Sequence, residues 1–486
     1  ATEKKKLAIS VESVNADKLP AAPTASIDQA LIGKIPGAQI QAINGTPGSQ
    51  INIQFRGVNT INNSNGTRPM ILVDGVQMFA TDLNSLDLSS VERVETIAGA
   101  AAATIYGAQG ANGVIQIFTK KGKDGTLDVN FSTSIATNEY LNIGGLAKAN
   151  LHGFNTNASN EVIGGSGNPL VFDPSVMAYD QNLIWNSTDP TVKINKAYDK
   201  NLLFHDHIKE FFQAAPTYNN SISVSGGKDG VDYSVSASRN FQRSNFKGDG
   251  YNDRSNLVSN LGIRLAKGLK LRNTTQLVYT HNTIEIYNKQ DFALNSLVYG
   301  IFNARPFVDY FKKDADGNYA YYYGDAAGVN QTNPNYTLQY NDTNDDKVDI
   351  VESLNLNYQA PKFFEFDARY GLNRSDRAVN YITYNQTTNA NSNYEGAWVG
   401  WYNGSANDGE MAHWRWNNVF QNFLAKATAT FDFAKDFGMS IPLKTTTLAA
   451  FDWRSQNDRY YADYGLSVPL YPPSTATQIS SWRVAS

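Results

Sequence analysis

Along most of this chain apolar and polar residues alternate with a period of two. The pattern is clearest over 363–374, FFEFDARYGLNR. Successive side chains of a strand point to opposite faces, so Phe364, Phe366, Ala368, Tyr370 and Leu372 share one face. Glu365, Asp367, Arg369, Gly371 and Asn373 share the other. The same alternation runs through 127–135, 231–241, 257–265, 269–279, 350–360, 423–433 and 445–453. These segments predict strands of about 10–13 residues, where the usual strand has about 5–6. Tight turns such as GGKDG at 226–230 and LAKGLK at 265–270 alternate with very long connections, over 281–347 and 375–417.

The first 120 residues follow a different pattern. LAISVESV at 7–14, AQIQAI at 38–43, INIQFRG at 51–57, MILVDG at 70–75, VERVETIA at 91–98 and NGVIQIFTK at 112–120 predict short strands. Residues 26–32 predict a short helix capped by Ser26, and AAAATIYG a second one. This is a small α+β domain with a mixed sheet, and the pattern changes near residue 126.

Periodicity alone leaves two architectures open. One is a soluble β-sandwich with one wet face. The other is a transmembrane β-barrel, with strands long enough to cross a tilted bilayer, aromatic residues near strand ends, and short turns opposite long loops. Composition narrows the chemistry. The 486 residues carry 41 basic and 45 acidic groups, without the basic excess that nucleic-acid binding needs. There is no cysteine, which excludes thiolate metal sites and a cysteine nucleophile. Aromatic residues make up 12%, yet mean hydropathy is −0.40, as expected where oily and polar faces alternate. No apolar run reaches transmembrane-helix length, and no signal peptide is evident at the N-terminus. No paired acids, triad or metal motif suggests an enzyme.

Several spaced motifs resemble the plug domain of a TonB-dependent outer-membrane transporter, in particular the SusC-like branch from Bacteroidetes. They are SIDQALIGKIPGAQI at 26–40, GTPGSQINIQFRGVNTIN at 45–62, PMILVDGV at 69–76 and YGAQGANGVIQIFTKKG at 106–122. The resemblance implies an α+β plug domain inside a transmembrane antiparallel β-barrel of about 22 strands. Residues 1–122 would be the plug and 123–486 a partial barrel holding roughly the first nine or ten strands. Ala98-Gly99-Ala100 and Ala108-Gln109 depart from the charged residues usual there. No convincing Ton box precedes residue 7, and Ser486 is not the aromatic residue of a finished barrel strand, so a fragment of a longer chain is expected.

The same resemblance implies import of a large nutrient, an oligosaccharide or peptide, across the outer membrane of a Gram-negative bacterium. A SusD-like lipoprotein would act as lid and the TonB–ExbB–ExbD complex would supply energy; the remaining contacts would be outer-membrane lipid, not nucleic acid. Two alternatives stay open: the same fold as a secretion or assembly component, and a soluble β-rich glycan-binding protein or adhesin. Substrate-binding candidates are Trp398, Trp401, Tyr402, Trp414 and Trp416, in an aromatic loop over 394–416. Plug–barrel ionic candidates are Arg56, Asp74, Glu92, Arg93 and Glu95, and turn glycines are Gly57, Gly75, Gly107, Gly110 and Gly113. No cofactor is expected. Asp314, Asp316 and Asn318 are a weak Ca²⁺ candidate, which a hairpin turn explains equally. NDTNDD at 341–346 reads as a solvated loop, and His205 and His207 as lying on different sides of a short helix.

Overall fold

The computed structural model describes residues 11–15, 31–35, 37–42, 45–48, 51–55, 57, 68–77, 90–140, 155–164, 167–172, 192–194, 204–284, 301, 309–311, 313, 317, 319, 333–385, 409–440, 442–467 and 481–485. Residues 1–10 and 26–30 lie outside this set. The expected first strand therefore appears only as β1 (Val11–Asn15), and the capped helix only as a turn over 31–35.

The N-terminal unit continues with β2 (Ala38–Ala42), β3 (Ile51–Phe55), β4 (Met70–Val73), β5 (Val76–Gln77), β6 (Val91–Ile97), helix α1 (Gly99–Tyr106) and β7 (Val114–Thr119). Five strands form one mixed sheet in the order β1-β6-β7-β4-β5, with β4 and β7 parallel, while β2 and β3 pair as a hairpin. The unbroken apolar run of β4, and that of β7 broken only at Gln116, fit burial on both faces. Leu31, Ile53, Phe55, Val73, Val94 and Ile115 build the core on one side. Met70, Leu72, Ile97 and Val114 pack with Ala102 of α1 on the other.

After β8 (Leu127–Asn138) come β9 (Leu170–Phe172), β10 (Val192–Ile194) and helix α2 (His207–Phe211). Then follow β11 (Ala215–Lys228), β12 (Val231–Arg243), β13 (Tyr251–Ala266), β14 (Leu269–Asn282), helix α3 (Pro334–Tyr340), β15 (Asn341–Gln359), β16 (Phe364–Thr383), β17 (Glu410–Asp432), helix α4 (Phe433–Phe437), β18 (Lys444–Leu466) and β19 (Ser481–Ala485). β8 and β11 to β19 form a ten-stranded sheet, each strand antiparallel to its sequence neighbour. Turn chemistry sets its register. Asp229 and Gly230 have φ of 54° and 87°, as a two-residue type I′ hairpin turn demands, so Lys228 pairs directly with Val231.

The strands are longer than the alternation alone suggests. β15 begins at Asn341, so NDTNDD is strand and not loop. β16 runs on to Thr383 and β17 starts at Glu410, which shortens the expected 375–417 connection. Polar side chains on both faces conceal the period at the start of β15. Apolar side chains on both faces, such as Tyr381 and Ile382 or Met411 and Ala412, conceal it at the end of β16 and the start of β17.

The two faces of the sheet differ in kind. Val231, Val235, Leu257, Leu261, Leu277, Phe366 and Phe451 stand exposed on one. On the other, Ser234, Ser236, Ser238, Asn256, Asn260 and Gln276 are buried. The N-terminal unit is seated on this polar face: Val351 of β15 belongs to its core cluster. Among the described residues, no helix is long and apolar enough to cross a membrane, which says nothing about strands.

Candidate functional site

Two places on the polar face concentrate chemistry. The first is the seat of the N-terminal unit, near the short-turn end. Asp74 follows β4 in the left-handed region, with φ of 47°. Its carboxylate accepts from the Thr119 backbone N at 3.1 Å and the Thr119 hydroxyl at 2.6 Å. Asn260 of β13 in turn donates from Nδ2 to the Thr119 hydroxyl at 2.8 Å. Arg272 of β14 donates from one guanidinium nitrogen to the Asn260 side-chain carbonyl and from the other to both Asp232 oxygens, at 2.7 and 2.8 Å. One hydrogen-bonded line, Asp74–Thr119–Asn260–Arg272–Asp232, thus crosses from the small unit into the wall. Thr119 and Asn260 are buried, so their bonds cannot be exchanged for water.

Beside this line the backbone itself touches the wall. A Cβ built on Gly75 would overlap the Arg369 guanidinium, and Gly75 has φ of 86°. Val76 lies over Gly371 of β16, where a Cβ would come within 2.7 Å of its methyl groups. Burial pushes the Tyr106 hydroxyl of α1 above its ordinary range, against the opposing pull of Arg369 and Arg454 on the wall. A cavity of about 480 Å³ separates the remaining surfaces, lined by Asp74, Gln116, Lys121, Arg264, Asp367 and Arg369 among others. Polar groups on both sides, one firm line of hydrogen bonds and an incompletely filled interface describe a body that is held in place but not fused to the wall.

The second place is the long-loop end of β15 to β18. Register puts Arg377 opposite Trp416 and Trp416 opposite Tyr460. The Arg377 guanidinium lies 5.1 Å from the Trp416 ring, whose centroid is 5.3 Å from that of Tyr460. Asp345 of β15 accepts from Arg377 at 2.8 and 2.6 Å. Tyr460 stays 44% exposed, so part of this platform is open to a ligand. Deeper in the rim, Tyr381, Ala412, Trp414 and Tyr464 pack into a buried cluster. Tyr464 donates to the fully buried Glu410 at 2.8 Å.

These positions revise the sequence expectations. Trp414 and Trp416 are on β17, not in a loop, and face the polar side. Trp414 is packing material, whereas Trp416 belongs to the more open platform. Trp398, Trp401 and Tyr402 lie outside the described residues, as do Arg56, Asp314, Asp316 and Asn318. Lys313 and Tyr319 form an isolated antiparallel bridge around that last segment, and Gly317 has φ of 83°. Arg93 pairs with Glu95 at 2.9 Å and Glu92 at 3.7 Å, and stacks over Phe118 at 3.8 Å. These three charges thus pair within the small unit, and of the ionic candidates described it is Asp74 that enters the line to the wall. Gly57, Gly75, Gly107 and Gly113 have φ of 97°, 86°, 68° and 94°, while Gly110 instead packs against the Ala102 carbonyl. Among the described residues no group of three or more His, Asp or Glu is placed to hold a metal. His205 and His207 converge, both meeting Glu210, because His205 precedes α2 and does not follow helical spacing. The sequence reading missed Thr119, Asn260, Arg272, Arg377 and Tyr460. Their strand faces were legible, but their partners lie on other strands.

Residues 3–114 match the TonB-dependent Receptor Plug Domain. The chain is 28% identical over 263 residues to TonB-dependent receptor P26 of Formosa agariphila, covering 54% of this chain and 24% of that protein. It is 35% identical over 123 residues to TonB-dependent receptor SusC of Bacteroides thetaiotaomicron, covering 24% of this chain and 12% of SusC. Among solved structures, the RagAB peptide importer in its closed-closed state superposes with a TM-score of 0.71 at 20% identity, over 99% of this chain and 52% of that one. The unliganded ferric citrate transporter FecA gives 0.56 at 11% identity, over 97% and 51%. The chain spans about half the length of these structural relatives and less of the curated ones. The resemblance read from the motifs holds: the chain is similar in its plug and its barrel sheet to SusC-like TonB-dependent receptors, which are transporters and not enzymes.

Proposed function

We propose that the chain is the plug and the adjoining wall of an outer-membrane importer for a large nutrient. One observation carries this reading: a small unit is hydrogen-bonded to the polar face of a sheet whose opposite face is apolar and exposed. A polar lumen closed by a plug and an oily exterior facing lipid account for both faces. The Arg377–Trp416–Tyr460 platform is then a substrate contact at the mouth. An aromatic face beside a guanidinium and the Asp345 carboxylate suits either a sugar ring with its hydroxyls or a peptide with its charges. A SusD-like lipoprotein serves as the lid and TonB–ExbB–ExbD as the energy source. The similarity to a chain of a peptide importer favours this assembly without choosing the cargo.

The test is uptake by cells of candidate oligosaccharides and peptides, with and without a proton gradient. Gradient-dependent uptake is expected, reduced at least roughly fivefold in a Trp416→Ala, Tyr460→Ala variant, as loss of one stacking platform worth ~1–3 kcal/mol implies. Outer-membrane abundance should not change. Wild-type uptake indifferent to the gradient would overturn the proposal and favour an assembly role.

A further inference from the structure

On the apolar outer face of β16, β17 and β18 the side chains stand in rows across the three strands. Tyr370, Phe423 and Trp453 form one such row. Below it, toward the short turns, the rows are apolar, with Phe366 and Phe451 exposed. Above it the surface changes abruptly. Val419 is flanked by Arg374 and Asn457, Asn417 by Asp376 and Arg459, and Arg415 by Ala378 and Tyr461. Arg374, Arg415 and Arg459 are all exposed. A shallow groove of about 680 Å³ runs between Arg374 and Arg459, with Asn417, Val419, Asn457 and Tyr461 on its walls, and Arg415 stands beside Tyr461 at its margin.

The charges in this band are not balanced. Asp376 is engaged by Arg374 at 2.7 Å and also accepts from Asn417. Asp463 lies 3.3 Å from His413. Arg415 and Arg459 have no hydrogen-bond or ion-pair partner among the described residues. They sit diagonally across β17 and β18, since Arg415 pairs with Tyr461. Diagonal neighbours are ~7–8 Å apart, within reach of one tetrahedral anion. Tyr461, 56% exposed, adds a hydroxyl at the same place.

We propose that this groove binds the phosphorylated headgroup of a lipid in the leaflet on the long-loop side. The inference rests on the membrane reading above. An aromatic row marks the edge of the hydrocarbon, and headgroup phosphates lie just beyond it. Guanidinium groups at that height, on the lipid-facing side and unpaired among the described residues, match phosphate in charge and in their forked geometry. A protein partner fits less well: apart from Val419 the groove is lined by polar, charged and tyrosine side chains, without the broad apolar centre that such interfaces carry.

The full-length receptor carrying this segment would be purified in detergent from its own outer membrane. Native mass spectrometry would count retained phosphorylated lipid per chain. Diphosphoryl lipid A and its dephosphorylated form would then be added as probes, with inorganic phosphate as competitor. Wild type is expected to retain the phosphorylated lipid, and an Arg415→Ala, Arg459→Ala variant to lose roughly tenfold of that retention. Lys435→Ala, at the opposite end of the sheet, should change nothing. Unaltered heat-dependent gel mobility would show that each variant keeps its barrel. Equal retention by the double variant, equal binding of the dephosphorylated probe, or displacement by millimolar inorganic phosphate would overturn the proposal. Wild type absent from the membrane fraction would instead overturn the membrane reading on which it rests.

Discussion

At the scale of single residues, the plug seat depends on atoms that are absent. Gly75 is bare where the Arg369 guanidinium passes, and its φ of 86° suits no side chain. Gly75→Ala should therefore cost about 1–2 kcal/mol from backbone strain alone, plus whatever moving Arg369 requires. A Gly75→Ala, Arg369→Ala pair separates the two: it should recover the overlap and keep the strain. Thermal unfolding of the plug, followed for the two single variants and the pair, checks this. A second residue, Glu210, carries a pH prediction. Burial raises its pKa, but hydrogen bonds and charge from His205 and His207 outweigh that and lower it to about 2 from 4.5. A depressed carboxylate stabilises the fold above its unfolded pKa, and the contribution is lost as pH falls through the folded value. The segment around α2 should weaken between about pH 4.5 and 2. Glu210→Gln should flatten that part of a melting-temperature profile.

At the scale of elements, β7 is the strand that joins plug to wall. Thr119 closes it, accepting from Asn260 while donating to Asp74. Thr119→Val keeps the shape, leaves the buried Asn260 amide without its acceptor and costs Asp74 one of its two donors, a loss of about 1–3 kcal/mol. Hydrogen exchange of β7 and of the turn after β4 should accelerate together, with β2 and β3 unaffected; acceleration throughout the plug would mean that the line is not local. This element also shows what a sequence can disclose. The apolar run ending at Thr119 made β7 legible, and alternation made each wall strand and its polar face legible. Arg369 was placed on the polar face by period two alone. Its contact with Gly75 was not, since it joins positions far apart in the chain. Likewise Trp416 was visible as a residue suited to stacking, while its strand, its Arg377 neighbour and its distinction from buried Trp414 depend on register. Register in turn follows from turns such as Asp229-Gly230, which were readable, and from strand ends whose two faces are alike, which were not.

At the scale of the whole molecule, the sheet poses a solvation problem. Its exposed face carries Val231, Val235, Leu257 and Leu261, while Ser234, Ser236 and Ser238 are buried on the face that seats the plug. In water such a face would be a large aggregation-prone patch; in lipid it is the surface that costs nothing. β8 also has no partner on its outer edge among the described residues, and an open edge in hydrocarbon leaves backbone groups unpaired at several kcal/mol each. Both features are relieved together if the sheet continues around into a closed barrel within the membrane. The absence of cysteine makes this directly measurable, because each introduced thiol is the only one in the segment. Single-cysteine spin labels along β12 at positions 231, 233, 235 and 237 should collide with lipid-dissolved oxygen and be shielded from a water-soluble nickel chelate. Labels at 234, 236 and 238 should be shielded from both by the plug. On β17 and β18, accessibility should pass from oxygen to chelate across Phe423 and Trp453, where the apolar rows give way to Arg415 and Arg459. A soluble sandwich would show the chelate at every outward position with no such boundary, and that result would remove the membrane, the mouth and the headgroup groove at once.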